Sequence, residues 1–410
     1  MALTALRSAQ ADFVPTPSPT AGMADFARAV FVGQDLSSTF DALKARVAAD
    51  PADAGALLDL STILQLVGDR EAGLSLQAQA LSQQRWYRRT LGSGRGPRLL
   101  ALVAPGDMMA NTPVEFLLAG WDGELDLLYL SADAPLEAIP DHDVAMLAVG
   151  ESDTGQALLN AFADTFARWP RPLINGEADA IAALRRDEAA DRLIGYPDLA
   201  APMARRALRD DLEAIAAGRP PGEFAAGLAF PILARPVGSH AGSGLAKLDD
   251  GAAVESYLAG QSARHFYLSP FIDYSSGDGR FRKLRVALVA GHPFIVHLAI
   301  SDHWMVHYLN AGMTADAAKR TEEAEMMAAF DAGFAVRHAG AFRSLVEVFG
   351  LDYFAVDCAE THDGRLLVFE PDTAMIVHDM DPPDLFPYKA PAVRKLFAAF
   401  QALVNTLAEP

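Results

Sequence analysis

The hydrophobic period of this chain changes at GSGRGP (92–97). Before that stretch apolar residues recur at helical spacing: Phe40, Leu43 and Val47, then Leu57, Leu60 and Leu64, then Leu74 and Leu81. DPADAG and GDREAG break the pattern between these groups, so residues 38–91 read as a helical hairpin module. After it, RLLALVAP (98–105), LDLLYL (125–130) and DVAMLAVG (143–150) are short continuous apolar runs, the pattern of strands buried on both faces. TPVEFLLAGW, TGQALLNAFADTFARW and the segment ending near Arg192 read as the helices between them and after RPLIN (171–175). A Rossmann-like α/β domain over 97–195 follows from that alternation, with GSGRGP as a flexible hinge before it. Asn111-Thr112-Pro113, after the first strand, reads as a helix cap at the sheet edge where α/β proteins bind ligands.

Beyond residue 196 the pattern is α+β. Strands are expected at 228–237, 265–272, 280–290 and 292–300, with helices at 252–260, 314–330 and 338–350. A hairpin, YFAVDCAE and GRLLVFEPD around THDG, precedes a closing amphipathic helix at 391–407. Residues 1–37, rich in Pro, Ser and Thr at their start, read as a mobile tail with no apolar core typical of a signal peptide.

Composition excludes several classes of function. The 34 Lys and Arg stand against 53 Asp and Glu, a net charge of −19, which argues against nucleic acid or an anionic membrane as partner. Residues 199–300 are the one stretch with a positive balance, 11 basic to 9 acidic. A single cysteine, Cys358, leaves no internal disulfide and no multi-cysteine metal site. No run of about 18 apolar residues is present, so the expected compartment is the cytoplasm.

Two stretches carry chemistry. In the final hairpin, Asp357 lies late on one strand and Glu370 late on the next, with Asp372 two residues on and on the same face as Glu370. Carboxylates converging from adjacent strands suit Mg²⁺, which takes hard oxygen ligands and bridges to phosphates. In FPILARPVGSHAGSGLAKL (230–248), a strand delivers Arg235 into a loop whose small residues let backbone amides approach an anion. It matches neither the P-loop nor the G-x-G-x-x-G pattern. Nine of the ten histidines lie between 240 and 378; His297, His303 and His307 sit in HLAISDHWMVHY, a segment that could bind an acceptor, move a proton, or pack. Cys358 alternates to the face opposite Asp357 and reads as core.

Taken together the later segments resemble the ATP-grasp superfamily of carboxylate–amine ligases. FPILARPVGSHAGSG is similar to its strand and Gly-rich flap, FYLSPFID to its adenine-holding hinge strand, FRKLRV to its basic cleft strand, and VDCAETHDGRLLVFEPD to its metal hairpin. The resemblance covers about 97–408, with the α/β segment similar to a pre-ATP-grasp domain; DPADAGALLDLSTILQLVGDREAGLSLQAQAL resembles a tetratricopeptide hairpin. It implies a two-subdomain ATP-grasp fold over 196–408, a flap subdomain at about 196–265 and a catalytic one at about 266–408. It further implies that Asp357, Glu370 and Asp372 hold one or two Mg²⁺, or Mn²⁺. Arg235, Ser239, His240, Gly242, Ser243, Gly244 and Lys247 would cradle the phosphates of ATP. Phe271 and Ile272 would line the adenine slot, with Asp273 near. Lys283 and Arg285 would serve the reacting groups, and His303 is a further candidate because its segment follows that basic strand directly. Arg235 stands where the family usually has Lys, and Asp372 where it usually has Asn.

The implied reaction activates a carboxylate as an acyl phosphate and joins it to an amine, on a small molecule or a peptide. A degenerate nucleotide-binding interaction protein and an ATP-dependent kinase are the alternatives. A peptide or protein partner on the helical module, and a homodimer, are also compatible with the sequence.

Overall fold

The computed structural model describes residues 16–133, 136, 139–239 and 242–409. Its N-terminal part corrects the expected tail: residues 16–37 are built into the protein, while 1–15 lie outside the described residues. β1 (Ser18–Pro19) leads into α1 (Met23–Phe31), whose first backbone amides have no side-chain cap of their own. Glu115 supplies one from far along the chain, accepting from Met23 N at 3.1 Å and Ala24 N at 3.0 Å. Asp59, 3 % exposed, accepts from Ala21 N at 3.0 Å and from the Thr20 hydroxyl. A Pro/Ser/Thr-rich start hides this, because the two carboxylates that order it lie 37 or more residues away.

Three helices follow, α2 (Ser37–Ala49), α3 (Ala54–Leu66) and α4 (Arg70–Gln83). Asp53 and Asp69 cap the last two through Ala56 N and Ala72 N. Phe26 of α1 packs with Leu43, Leu60 and Ile63, so α1 belongs to the helical module. The module ends earlier than residue 91: β2 (Trp86–Leu91) is a strand of the next sheet, and its Tyr87 packs under Leu57 and Ala80. Nor is 92–97 a hinge. Asp122 accepts from Ser93 N at 2.6 Å and Gly94 N at 3.0 Å, and a Cβ on Gly96 would fall 1.9 Å from the Asp122 carbonyl. The glycines there serve a fixed turn.

β3 (Arg98–Val103), α5 (Val114–Leu117), β4 (Gly123–Tyr129), β5 (Val144–Leu147), α6 (Asp153–Phe166), β6 (Leu173–Ile174), α7 (Ala178–Ala182) and α8 (Arg186–Arg192) complete the α/β part. The sheet runs β1-β2-β4-β3-β5-β6, with β4, β3, β5 and β6 parallel, β2 antiparallel to β4, and short β1 at the edge parallel to β2. Short β7 (Leu199–Ala200) is followed by β8 (Arg205–Leu208), α9 (Arg209–Ala216), α10 (Pro221–Phe224), β9 (Ile232–Pro236), β10 (Ala246–Leu248), α11 (Gly251–Ala259) and β11 (His265–Pro270). These make an antiparallel sheet, β10-β9-β11-β8, over the core of Leu212, Ile232, Val254 and Phe266. The expected subdomain border at 265 therefore moves past 270, since β11 pairs with both β9 and β8.

The last part holds β12 (Phe281–Val289), β13 (His292–Ser301), α12 (Ala317–Ala329), α13 (Phe334–Arg337), α14 (Ala339–Phe349), β14 (Tyr353–Glu360), β15 (Leu366–Asp372) and α15 (Lys389–Ala408). Its sheet runs β13-β12-β14-β15-β7, with β7 parallel to β15. Cys358 is buried, as its alternation implied. The chain is thus a mixed α/β protein with three sheets among the described residues. No helix among them is long and apolar enough to cross a membrane.

The first and third sheets share one core. Leu99, Ala101 and Val103 pack with Ala287, Val289 and Ala355, and with Val393, Leu396 and Phe400 of α15. Asn175 clasps the joint. It sits at φ 54°, a left-handed conformation that Asn tolerates better than most residues, and is 1 % exposed. Its side chain donates to Tyr353 O at 2.7 Å and accepts from Tyr353 N at 2.9 Å, while its own N–H donates to Asp352 at 2.8 Å. Asn175→Ala loses the two side-chain bonds and strains the backbone, so urea unfolding is expected to show a loss of about 2–4 kcal/mol.

Candidate functional site

A cavity of 1110 Å³ lies between the small antiparallel sheet and the third sheet, roofed by the C-terminal edge of the parallel sheet. Such a volume exceeds the usual range of about 300–1,000 Å³ for a single small ligand.

Its polar end is a row of charges set by strand register. Arg285 on β12 lies opposite Asp357 on β14, and Asp357 opposite Glu370 on β15, so all three side chains share a face. Lys283, two residues before Arg285, shares that face, as does Asp372, two residues after Glu370. Asp357, 2 % exposed, accepts from Arg285 at 2.8 and 3.2 Å and pairs with Lys283 at 2.7 Å. Burial alone would push its carboxyl up; the Arg285 and Lys283 charges reverse this and hold it far below the usual carboxylate range.

Glu370 is paired as well. Arg186, at the start of α8, reaches it, and Arg235 from β9 stands at 3.9 Å. These two guanidiniums are half-buried and lie on the same carboxylate. Burial lowers Arg186; burial and the Arg186 charge together pull Arg235 down to about 9, so it stays charged at neutral pH. Four cations from three separate elements thus converge on one end of the cavity. Two of them are depressed, Arg186 by burial and Arg235 by burial and the Arg186 charge, and a multivalent anion placed among them would relieve both.

The carboxylates do not form a metal-ligand set as they stand. Asp357 is spent on two cations, Glu370 on Arg186, and Asp372 Oδ1 accepts from Ala374 N at 2.7 Å. Among the described residues no group of three or more His, Cys, Asp or Glu is placed to hold a metal ion. The expected trio therefore shares a face without the geometry of a divalent centre, because the basic strand β12 lies beside Asp357.

Of the other expected residues, Arg235, Ser239, Gly242, Phe271, Ile272, Lys283 and Arg285 line the cavity. Ser243, Gly244, Lys247 and Asp273 are not among its lining residues. Ser243 is exposed, the Gly244 carbonyl accepts from Tyr257, Lys247 lies over the Phe271 ring at 4.3 Å, and Asp273 caps a turn through Ser275 N. His240 lies outside the described residues. His303 is corrected: it is exposed in a turn off the end of β13 and outside the cavity lining, where His297 and His307 take part instead. His297 is half-buried beside Tyr308, ring centroids 4.8 Å apart; desolvation and the Arg285 charge hold it neutral. Asn111 spends its side chain on both backbone groups of Ala104, at 2.7 and 2.8 Å, and serves as structure.

Glu151 and Arg186 escaped the sequence reading. Glu151 follows β5 at the C-terminal edge of the parallel sheet, directly before the α6 cap Ser152, a place where α/β folds put functional side chains. That position was the available signal. Arg186 had none: it meets Glu370 only through the fold.

No protein-family model matches the chain, and no curated protein does. Among solved structures it is similar to a RimK-domain ATP-grasp protein from Sphaerobacter thermophilus, at 18% identity and a TM-score of 0.42. It is also similar to D-alanine–D-alanine ligase from Bacillus anthracis, solved with ATP at 13% identity and TM-score 0.42, and separately at 14% and 0.43. In each case the match covers 76% of this chain and 99% of the other.

Burial, and then the Asp372 charge, push the Glu151 carboxyl up to about 8. A carboxyl raised on folding binds more protons folded than unfolded between its ordinary value and the raised one. Stability therefore falls as pH rises from about 5 to 8, by up to ~1.4 kcal/mol per unit for one proton. Glu151→Gln is expected to flatten that slope and to be more stable than the parent at pH 8, as chemical denaturation across the range would show.

Proposed function

We propose that this protein is an ATP-dependent carboxylate–amine ligase of the ATP-grasp type. The observation that carries the reading is the convergence of Arg186, Arg235, Lys283 and Arg285 at one end of a cavity between two sheets. Such a cluster suits a triphosphate, since charge-assisted bonds from Arg and Lys neutralise phosphoryl oxygens in a water-poor cleft. Phe271, continuing from β11 and standing edge-on to Trp304 at 5.8 Å, offers with Ile272 an apolar slot for the base. The volume beyond leaves room for a second and third reactant.

In this reading a substrate carboxylate oxygen bonds to the γ-phosphorus of ATP as the bond from that phosphorus to the β,γ-bridging oxygen breaks. ADP leaves and an acyl phosphate remains. An amine nitrogen then bonds to the acyl carbon, phosphate departs, and the amine gives up a proton. Lys283 and Arg285 would stabilise the transferring phosphoryl group; Arg186 and Arg235 would hold the rest of the triphosphate. Mg²⁺ accompanies ATP in solution, and the charge stabilisation assigned here is that of the protein's own side chains.

ADP release from the full chain with ATP, MgCl₂ and a panel of carboxylates and amines tests this. Turnover requiring both partners is expected, with Lys283→Ala lowering kcat about 10²–10³-fold and Arg235→Ala weakening ATP binding about tenfold or more. Intact-mass analysis decides the product. A phosphorylated compound that survives excess amine would establish a kinase instead, and no ADP with any pair would reduce the protein to a binding role.

A further inference from the structure

The cavity has a second end, and the N-terminal module forms part of it. Phe31, the last residue of α1, lines the cavity while 43 % exposed, and its ring stands 5.6 Å from that of His378. α1 is fixed there by more than this contact. Arg28 pairs with Asp379 at 2.6 Å, and Ala24 and Ala27 pack with Phe116, Ile376 and Met380. Ile376 in turn accepts from Arg285 through its carbonyl at 3.0 Å, so helix, loop and phosphoryl end are one connected wall.

From His378 the wall continues inward. Asp381 lies 4.0 Å from His378 and 3.4 Å from the Lys389 ammonium, which sits over the Tyr308 ring at 3.6 Å and the Phe386 ring at 4.7 Å. Glu323, completely buried, also reaches Lys389 at 3.5 Å and accepts from the hydroxyls of Tyr308 and Tyr388 at 2.9 and 2.7 Å. Burial pushes the Glu323 carboxyl up and the Lys389 ammonium down, while each charge favours the other. With the group ionised, two carboxylates share one ammonium, and burial holds His378, His297 and His307 towards their neutral forms. Of the two carboxylates Asp381 lines the cavity and Glu323 does not. Asp381 thus shares its one ammonium with a second carboxylate, beside an aromatic surface.

This end adjoins the phosphoryl end. His297 is the cross-strand partner of Arg285, and its ring is tilted against that of Tyr308. A ligand held here would face the site of acyl transfer.

We propose that this end binds the amine reactant and that the amine is amphipathic: its ammonium on Asp381, its apolar body against Phe31, Tyr308 and Phe386. The inference rests on the ligase reading and names the class of its acceptor. The amine enters as an ammonium, gives one proton to water on leaving Asp381 for the acyl carbon and its second to the departing phosphate, and its aliphatic or aromatic part stays in the mouth that α1 walls.

Calorimetric titration of the full chain tests it with 2-phenylethylamine, ethylamine and 2-phenylethanol as probes, and with ADP titrated separately. 2-Phenylethylamine is expected to bind at least about tenfold more tightly than ethylamine, because burying the ring adds apolar contact. 2-Phenylethanol, uncharged, should not displace it. Phe31→Ser should shrink the preference to about threefold or less, and Phe31→Leu should restore most of it. Asp381→Asn should weaken both amines about tenfold. No saturable binding of 2-phenylethylamine, or a preference unchanged in Phe31→Ser, would overturn the proposal. ADP binding without amine binding removes only this inference, whereas failure of ADP to bind removes the nucleotide reading beneath it.

Discussion

Asp357 is held between Lys283 and Arg285 in the middle of the third sheet, and the cleft is arranged around that triplet. A carboxylate buried this deeply survives only with a countercharge in place; removing both cations would leave an uncompensated charge in a low-dielectric interior at a cost of about 3–5 kcal/mol. The pairing keeps two cations side by side on one strand without mutual destabilisation. It also leaves them with one negative charge between them. Arg186 and Arg235 repeat the arrangement around Glu370. The cleft therefore carries more positive than negative charge at one end, inside a chain whose net charge is −19.

That imbalance was partly legible before any fold was known. The excess of basic residues in 199–300 contains Arg235, Lys283 and Arg285, and alternation placed the last two on one face. The acidic trio was also legible as a shared face, because Glu370 and Asp372 are two apart on one strand and Asp357 is on its neighbour. What spacing could not tell was who pairs with whom. Strand order β13-β12-β14-β15 sets the basic strand directly against Asp357, and order within a sheet is a tertiary property that no local pattern encodes. Arg186 illustrates the same limit, since its partner lies 184 residues further along the chain.

Element types were read well where periodicity was long and clean, as in the parallel strands and the closing helix. The errors lie where composition stood in for contact. A Pro- and Ser-bearing start read as a tail, yet Asp59 and Glu115 fasten it. A Gly-rich hexapeptide read as a hinge, yet Asp122 fixes it as a turn inside one sheet. His303 read as functional from its neighbours in sequence, while the cavity takes His297 and His307. The first of these corrections reaches the site: the helical module is not an appendage but part of the cavity wall through Phe31, with α1 held in place by Arg28 on Asp379.

The central claim is that four cations gathered by three elements form a polyphosphate site. A crystal structure of the chain grown with ATP measures this most directly. The account predicts the β- and γ-phosphoryl oxygens within hydrogen-bond distance of Arg186, Arg235, Lys283 and Arg285, with the base against Phe271. Nucleotide bound elsewhere on the protein, or a cleft that stays free of it at millimolar ATP, would contradict the account.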